Sequence, residues 1–447
     1  MLADYLFQKI HKQNRTNNQL SCTMSQHKLF TRSTIIFYTI QATQYLLPIL
    51  LVPYLLTHIG TANYGSIIFS QSIAQYLTII CDYGFSYSAT RDAARLKAAS
   101  ADLSLFYTTI QHTRWTLLFI SLPVFIYIIY LIPSMQEDWL LYAIAVLTPI
   151  TGIILPQWYL QGIEKLEYLM ISQVSGKIVC FTCCIIFIDT PDDKTLSALF
   201  LSGPSFLTAI IIRWRLQSRQ AFPPRNSTGI NSIITRLRTG WQLFKGKIAI
   251  ELYTTSNSVI IGFVTTPTEV AYFYVAERIV RGIQTLSQPI VQGHYPAVSA
   301  MTIISPSQAL NAVRYLFIRI FPATAIVSII LIIKPDPIIA FFYSSLPENA
   351  VLTFRCLVPI LPIITISNIY GNLILLPFGH ERQFSRILII AGCTGPILIT
   401  IFSTMHGAPG AGVAIVITES IVSLMMLVTA HSLTLNPFSS DNRPGQS

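Results

Sequence analysis

Glu269-Val-Ala-Tyr-Phe-Tyr-Val-Ala-Glu277-Arg278-Ile-Val-Arg281-Gly-Ile-Gln284-Thr-Leu-Ser-Gln288 is long and apolar enough to cross a bilayer, yet it carries two arginines and a glutamate near its middle. On an α-helix Glu277, Arg281, Gln284, Gln288 and Gln292 recur at steps of three and four residues, so they share one face. An arginine at the centre of a membrane helix costs about 2.5–3.5 kcal/mol on insertion scales. A helix tolerates that when the charged stripe faces a wet cavity or a partner, away from lipid. The stretch marks a place where something polar crosses a membrane.

Working outward, the rest of the chain has the composition of a membrane protein. Charged residues make up 11% of the 447, where a soluble domain averages about 25%. Hydrophobic residues make up 52%, and the mean hydropathy is +0.56. A soluble chain of this length needs far more charge to cover its cores, which excludes that class. Twelve apolar segments are predicted to be membrane helices: 33–57, 65–85, 105–132, 139–161, 168–189, 195–216, 243–264, 269–295, 312–333, 350–378, 384–404 and 409–431. Each approaches or exceeds the roughly 20 residues that span the hydrocarbon.

The formal charge of +10 is unevenly placed. Most basic residues fall in 1–32, around 91–97, in 213–247 and in the segments that follow on the same side, whereas the opposite loops offer Lys194 and Lys334. By the positive-inside rule both termini are cytoplasmic, in agreement with an even helix count. This basicity is read as topology and contact with anionic head groups, without a nucleic-acid partner. Residues 1–32 hold no apolar h-region, so the first apolar segment is expected to act as the insertion signal. Cys180, Cys183 and Cys184 lie inside an apolar helix without a neighbouring His, which favours packing over zinc. No metal and no cofactor is expected.

The longest loop, with Pro223-Pro224 and four arginines, divides the chain. The expected organisation is a cytoplasmic segment 1–32, an N-lobe 33–216, a linker 217–242, a C-lobe 243–431 and a cytoplasmic tail 432–447. A shift of 206 residues sets Gln71 on Glu277, Gln75 on Arg281, Thr78 on Gln284 and Asp82 on Gln288. The second helix of each half thus carries its polar stripe at one spacing, which is the mark of parallel repeats. The loops on the outer side are too short to hold a catalytic domain.

Arg278 and Arg281 are the candidate anion ligands, about 13 and 18 Å below the outer helix end. Two guanidiniums at that spacing suit a phosphate or pyrophosphate, which they grip bidentately. The alternative is an internal ion pair with Glu277, Glu251 or Asp82. Arg355 is a further candidate cavity cation, and Lys177 and Arg319 are ambiguous because a small shift of the helix ends lets them snorkel. Gln44, Gln71, Gln75, Gln157, Gln284 and Gln288, with Trp158, form amide-rich faces beside aromatics. Such faces recognise sugar hydroxyls and equally glue helices together. Asp82, Glu251 and Glu277 are the candidate ion-coupling acids. No nucleotide loop of the Gly-x-x-x-x-Gly-Lys type and no catalytic triad stands out.

Several local sequences resemble a known family. Gly60-Thr-Ala-Asn-Tyr-Gly65 followed by Cys81-Asp82-Tyr-Gly84-Phe85-Ser-Tyr-Ser88-Ala89-Thr90-Arg91 resembles the N-terminal pattern of Wzx-type polysaccharide flippases. Pro156-Gln157-Trp158-Tyr159-Leu-Gln161-Gly162-Ile-Glu164-Lys165 resembles their fourth helix, and Tyr272 to Arg278 with Gln288 to Pro296 their eighth. The resemblance runs from about residue 33 to 430. It implies the fold of the multidrug/oligosaccharidyl-lipid/polysaccharide exporters: all-α, about twelve membrane helices, two six-helix lobes around a central cavity. It also implies a substrate, an undecaprenyl-pyrophosphate-linked oligosaccharide moved across a bacterial inner membrane and handed on to polysaccharide polymerase machinery. On that reading Arg278 and Arg281 hold the pyrophosphate, and replacing Arg281 with Ala abolishes export. A cation-coupled multidrug exporter of the same superfamily is the alternative, and a membrane polysaccharide polymerase is a more distant one.

Overall fold

The computed structural model describes residues 39–438, apart from 41, 45, 100–101, 219–228, 286–287 and 344. The described residues are helical almost throughout and contain no strand. In the first half α1 (46–58) leads to α2 (Thr61–Asp82), α3 (Phe85–Ala98) and α4 (Ser104–Leu131). Short α5 (Pro133–Glu137), α6 (Trp139–Ala145), α7 (Leu147–Ile154) and α8 (Gln157–Gly162) precede α9 (Leu166–Phe187) and α10 (Lys194–Ser218). The second half comprises α11 (Ile230–Thr254), α12 (Ser256–Val264), α13 (Pro267–Thr285), α14 (Gln288–Ile304) and α15 (Pro306–Ile333). It continues with α16 (Asp336–Phe342), α17 (Glu348–Leu357), α18 (Ile360–Asn368), a π-helical stretch at Ile369–Leu375 and α19 (Glu381–Ser432). α19 is two helices in series, because His406 and Gly407 leave helical dihedrals, Gly407 at φ 60°.

Each of the twelve predicted segments falls largely on helix among the described residues, with part of 33–57 and residues 286–287 of 269–295 outside them. Among the described residues seven helical runs are long and apolar enough to cross a membrane. Their outward faces are apolar as well. α4 leaves Phe119, Ile120, Tyr127 and Tyr130 at least 60% exposed. A water-facing surface does not hold such a contiguous apolar belt, and a lipid-facing one requires it.

Proline and glycine end some helices, whereas α4, α10 and α15 continue through Pro123, Pro204 and Pro322. Leu155, ahead of Pro156, is pushed to φ −114°, ψ 84°, and ends α7. Tyr83 and Gly84, both at positive φ, end α2 before α3 begins. Segment 139–161 is divided among α6, α7 and α8, 269–295 between α13 and α14, and α11 departs from expectation at its start. α11 begins at Ile230, well before 243, and runs unbroken to Thr254. Its first turns pack on the first half, where Phe244 stacks on Tyr83 at 4.3 Å and Tyr83 donates its hydroxyl to the Leu237 carbonyl. Hydropathy alone does not register these turns, because 230–242 is amphipathic.

The cores explain the shape. At the end bearing residues 58–64, 265–268 and 405–408, one core joins both halves: Leu55, Ile59 and Ile67 with Val270, Phe273 and Phe354. Elsewhere the large clusters separate. Tyr107, Trp158 and Leu216 centre one that draws its buried residues from the first half, while Val313, Leu373 and Met426 centre one within the second. Two bodies with a shared core at one end and private cores at the other make a V.

Glycines allow the sealed end to close. A Cβ on Gly65 of α2 would lie 1.7 Å from the Pro267 carbonyl oxygen, and one on Gly262 would lie 2.1 Å from Phe69. Glu269 then fastens three elements at this end. Its Oε1 accepts from Asn349 Nδ2 at 2.8 Å, and its Oε2 accepts from the Ala408 N–H at 2.6 Å, just past the break in α19.

Candidate functional site

Polar side chains inside the V gather in three places. The first lies at the seam directly against the shared core. A cavity of about 110 Å³ is lined by Gln71 of α2, Lys177 of α9, Arg278 of α13 and the tyrosines Tyr64 and Tyr274. Those tyrosines meet edge to face at 6.3 Å. Arg278 also donates to the backbone carbonyl of Gln44 beside α1. Arg281, one turn along, is differently engaged: its Nε donates to Glu277 Oε1 at 2.9 Å. The two arginines proposed as a tandem grip are thus divided, Arg278 in the seam cavity and Arg281 in an ion pair. The pair follows from (i, i+4) spacing.

The second cavity, about 280 Å³, lies in the first half and brings Gln75, Asp82, Gln157 and Trp158 together with Glu251 of α11. Residues far apart in sequence converge here. Asp82 accepts from Ser86 Oγ at 2.9 Å and Glu251 from Thr255 Oγ1 at 2.6 Å. The wall is built around Arg114, only 5% exposed, which the sequence reading did not single out. Arg114 donates to the Gly152 carbonyl at 3.0 Å and to the Cys81 carbonyl at 3.3 Å. The cause is local. Pro156 has no N–H to return to Gly152, and the break at Tyr83-Gly84 leaves Cys81 near a helix end. Gln111, one turn from Arg114, does the same for the Ile153 carbonyl at 2.9 Å. The signal was available in sequence: an arginine within an apolar segment, three residues from a glutamine.

The third cavity, about 520 Å³, opens on the second half between α13, α14 and α15, with Gln284, His294 and Arg319 among apolar walls. The Arg319 guanidinium lies 3.9 Å from the centre of the Tyr315 ring.

The profile of a family described as "Polysaccharide biosynthesis protein" matches residues 30–302, more than half of the chain. The chain belongs to this family.

Relatives of this polysaccharide biosynthesis protein span nearly its whole length. A protein of Escherichia coli (strain K12) named "Putative O-antigen transporter" is 26% identical over 91% of this chain and 98% of its own. One of the same name from Shigella dysenteriae is 23% identical over 89% of this chain and 98% of its own. Among solved structures, a multidrug resistance transporter of the MATE family in an inward-facing conformation aligns with a TM-score of 0.66 at 15% identity, covering 90% of this chain and 96% of its own. The lipid II flippase MurJ in an inward closed conformation aligns at 0.64 and 15% identity, covering 89% of this chain and 87% of its own. The fold expected from the family resemblance is the fold observed.

The remaining candidates of this family member are placed as follows. Gln44 donates to Gln173 Oε1 at 3.0 Å, tying the α1 side to α9. Trp158 is 1% exposed and packs against Phe106 and Tyr107. Gln157 is exposed, and so is Arg355, which lines none of these three cavities. The side chain of Gln288 lies outside those described. Among the described residues no group of three or more His, Cys, Asp or Glu is placed to hold a metal ion. Cys180 and Cys184 are buried in the shared core, as packing predicts.

Proposed function

We propose that this protein is a flippase that carries undecaprenyl-pyrophosphate-linked oligosaccharide units from the cytoplasmic to the periplasmic leaflet of a bacterial inner membrane by alternating access. The observation that carries the reading is the V itself. A shared apolar core seals one end, private cores leave the halves separate toward the other, and cationic and amide side chains face the space between them. Membership of a polysaccharide biosynthesis family and relatives named for O-antigen transport supply the substrate class. The chain moves its substrate and does not transform it.

In this scheme the N-lobe is 33–216 and the C-lobe 243–431, both termini face the cytoplasm, and the sealed end is periplasmic. Arg278 holds the pyrophosphate at the seam. Gln71, Gln75 and Gln157 meet sugar hydroxyls, and the polyprenyl tail stays in the bilayer. Asp82 and Glu251, facing one cavity from the two halves, bind the coupling cation. Transported units pass to the polymerase machinery on the far side.

The test is deletion of the gene in its host with analysis of surface polymer and of lipid-linked units in the inner membrane. Loss of polymer with accumulation of single, cytoplasm-facing units is expected, and Arg278→Ala reproduces it at normal protein level. Unchanged polymer with new sensitivity to cationic drugs would replace this reading with the multidrug exporter.

A further inference from the structure

The first turns of α11 arrange their side chains in four strips around the helix. At 3.6 residues per turn Ile230, Ile234, Leu237 and Trp241 fall within about 60° of one another. Ile230, Ile234 and Trp241 of this apolar stripe are 74%, 41% and 49% exposed. On one side of it lies the face packed on the first half. There Gly240 is buried, a Cβ on it would lie 3.2 Å from the Tyr83 ring, and the Arg236 guanidinium lies 4.8 Å from the centre of the Phe106 ring. On the other side come Arg238 and Lys245, both exposed, with the Lys245 ammonium 5.9 Å from the centre of the Trp241 ring. Beyond them Asn231, Thr235 and Thr239 are exposed. Packed, apolar, basic and polar strips in that order are what a helix presents when it lies at the boundary of hydrocarbon and water.

Two further observations identify what covers the apolar stripe. The first is level. Contacts with Phe106, near the start of α4, and Tyr83, just past the end of α2, hold these turns at the end of the V away from the seal. The lipid-facing belt reaches that level, because Leu105 beside Phe106 is 55% exposed and Trp214 near the end of α10 is 74% exposed. An exposed indole such as Trp241 suits the head-group region. The second is charge. Residues 213–247 hold eight Lys and Arg and no Asp or Glu. A basic run without acids is complementary to a surface of phosphates. We propose that the apolar stripe and basic edge of α11 are a docking surface for anionic phospholipids of the leaflet at this end, the inner one in the orientation proposed above. Ile230, Ile234 and Trp241 enter the acyl boundary, and Arg238 and Lys245 meet the head-group phosphates. This surface lies outside the three cavities and does not depend on what the protein transports.

The test uses the full chain in nanodiscs of phosphatidylcholine, alone or mixed with phosphatidylglycerol. With Cys22, Cys183, Cys356 and Cys393 changed to Ser, the described cysteines that remain are buried. A nitroxide is then attached at Ile234→Cys or at Thr239→Cys. The label at 234 is expected to be relaxed more by oxygen than by a nickel chelate, the more so with phosphatidylglycerol, and the label at 239 to show the reverse. Native mass spectrometry of the chain released from mixed nanodiscs reads the basic edge. One basic side chain near an anionic surface is worth about a fivefold change in binding. Arg238→Gln with Lys245→Gln is therefore expected to lower retained phosphatidylglycerol about tenfold or more, whereas Arg382→Gln with Arg386→Gln, exposed elsewhere, should change it little. A label at 234 open to nickel in both lipids would overturn the proposal and give this face to a partner in water. Unaltered retention in the α11 pair, or an equal fall in the control pair, would overturn the assignment of Arg238 and Lys245.

Discussion

Glu277 and Arg281 stand one turn apart on α13, with side chains 16% and 32% exposed and 2.9 Å between Oε1 and Nε. Arg281 is thus engaged by Glu277, while Arg278 lines the seam cavity with Lys177. This changes the expectation for Arg281. Replacing it alone leaves a bare glutamate beside the anion site, so Arg281→Gln should reduce export severely. Glu277→Gln combined with Arg281→Gln should restore much of it. Arg278→Gln should gain nothing from Glu277→Gln. Surface polysaccharide measured at matched protein level decides between them. The charged stripe was legible in the sequence, and so was the spacing that pairs these two. Which arginine turns into the seam was not, because both fit the stripe within one turn. The surroundings of Lys177 and Arg114 were not legible for a related reason: hydropathy records that a charge is present, whereas its partner is set by helix rotation and by breaks elsewhere.

At the scale of elements, the closeness of α2 and α13 is set by the missing side chain of Gly65, where a Cβ would stand 1.7 Å from Pro267. Gly65→Ala must displace backbone, so the sealed end should loosen. Cys180 and Cys184, buried in the core beneath it, report this directly. Their labelling by a small maleimide should quicken several-fold, as read by mass spectrometry of the protein in detergent, and an unchanged rate would mean the crossing had adjusted elsewhere. The start of α10 offers a pH test. Asp193 closes a capping box with Thr190. Hydrogen bonds from the Thr190 and Asp189 N–H groups, then from the Thr190 hydroxyl, hold its carboxyl below the usual carboxylate range. A depressed folded pKa gives stability that is full above the unfolded value and fades as pH falls through the folded one. The midpoint difference between wild type and Asp193→Ala should therefore be level above about pH 5 and shrink in stronger acid. Most helices were legible from apolar length. The ends of α7 at Pro156 and of α2 at Gly84 follow from residue type, but Pro123, Pro204 and Pro322 lie in helices that do not stop. The early start of α11 escaped because an amphipathic turn on a protein surface looks like a loop to a hydropathy reading.

For the whole molecule, the V predicts one-sided access. Ser86 lines the cavity of the first half, well away from the sealed end. With Cys22 and exposed Cys393 changed to Ser, Ser86→Cys should react with a membrane-impermeant thiol reagent in inverted vesicles and resist it in intact spheroplasts. The reverse pattern would invert the orientation drawn from the positive residues. The fold class itself was legible in the apolar composition and in the family resemblance. The state of the V was not, since one sequence encodes both arms and only packing decides which end is shut.

α11 packs against α3 and α4 of the first half and against α12 and α19 of the second. Twenty-five residues of continuous helix make a strut roughly 37 Å long. A slack tether would let the arms drift apart, slide or twist independently. A stiff rod seated in both removes most of those freedoms and leaves rocking about its own seat as the easy motion. The chain between the halves thus serves as the machine's axle, and each stroke of one arm is geared to the other.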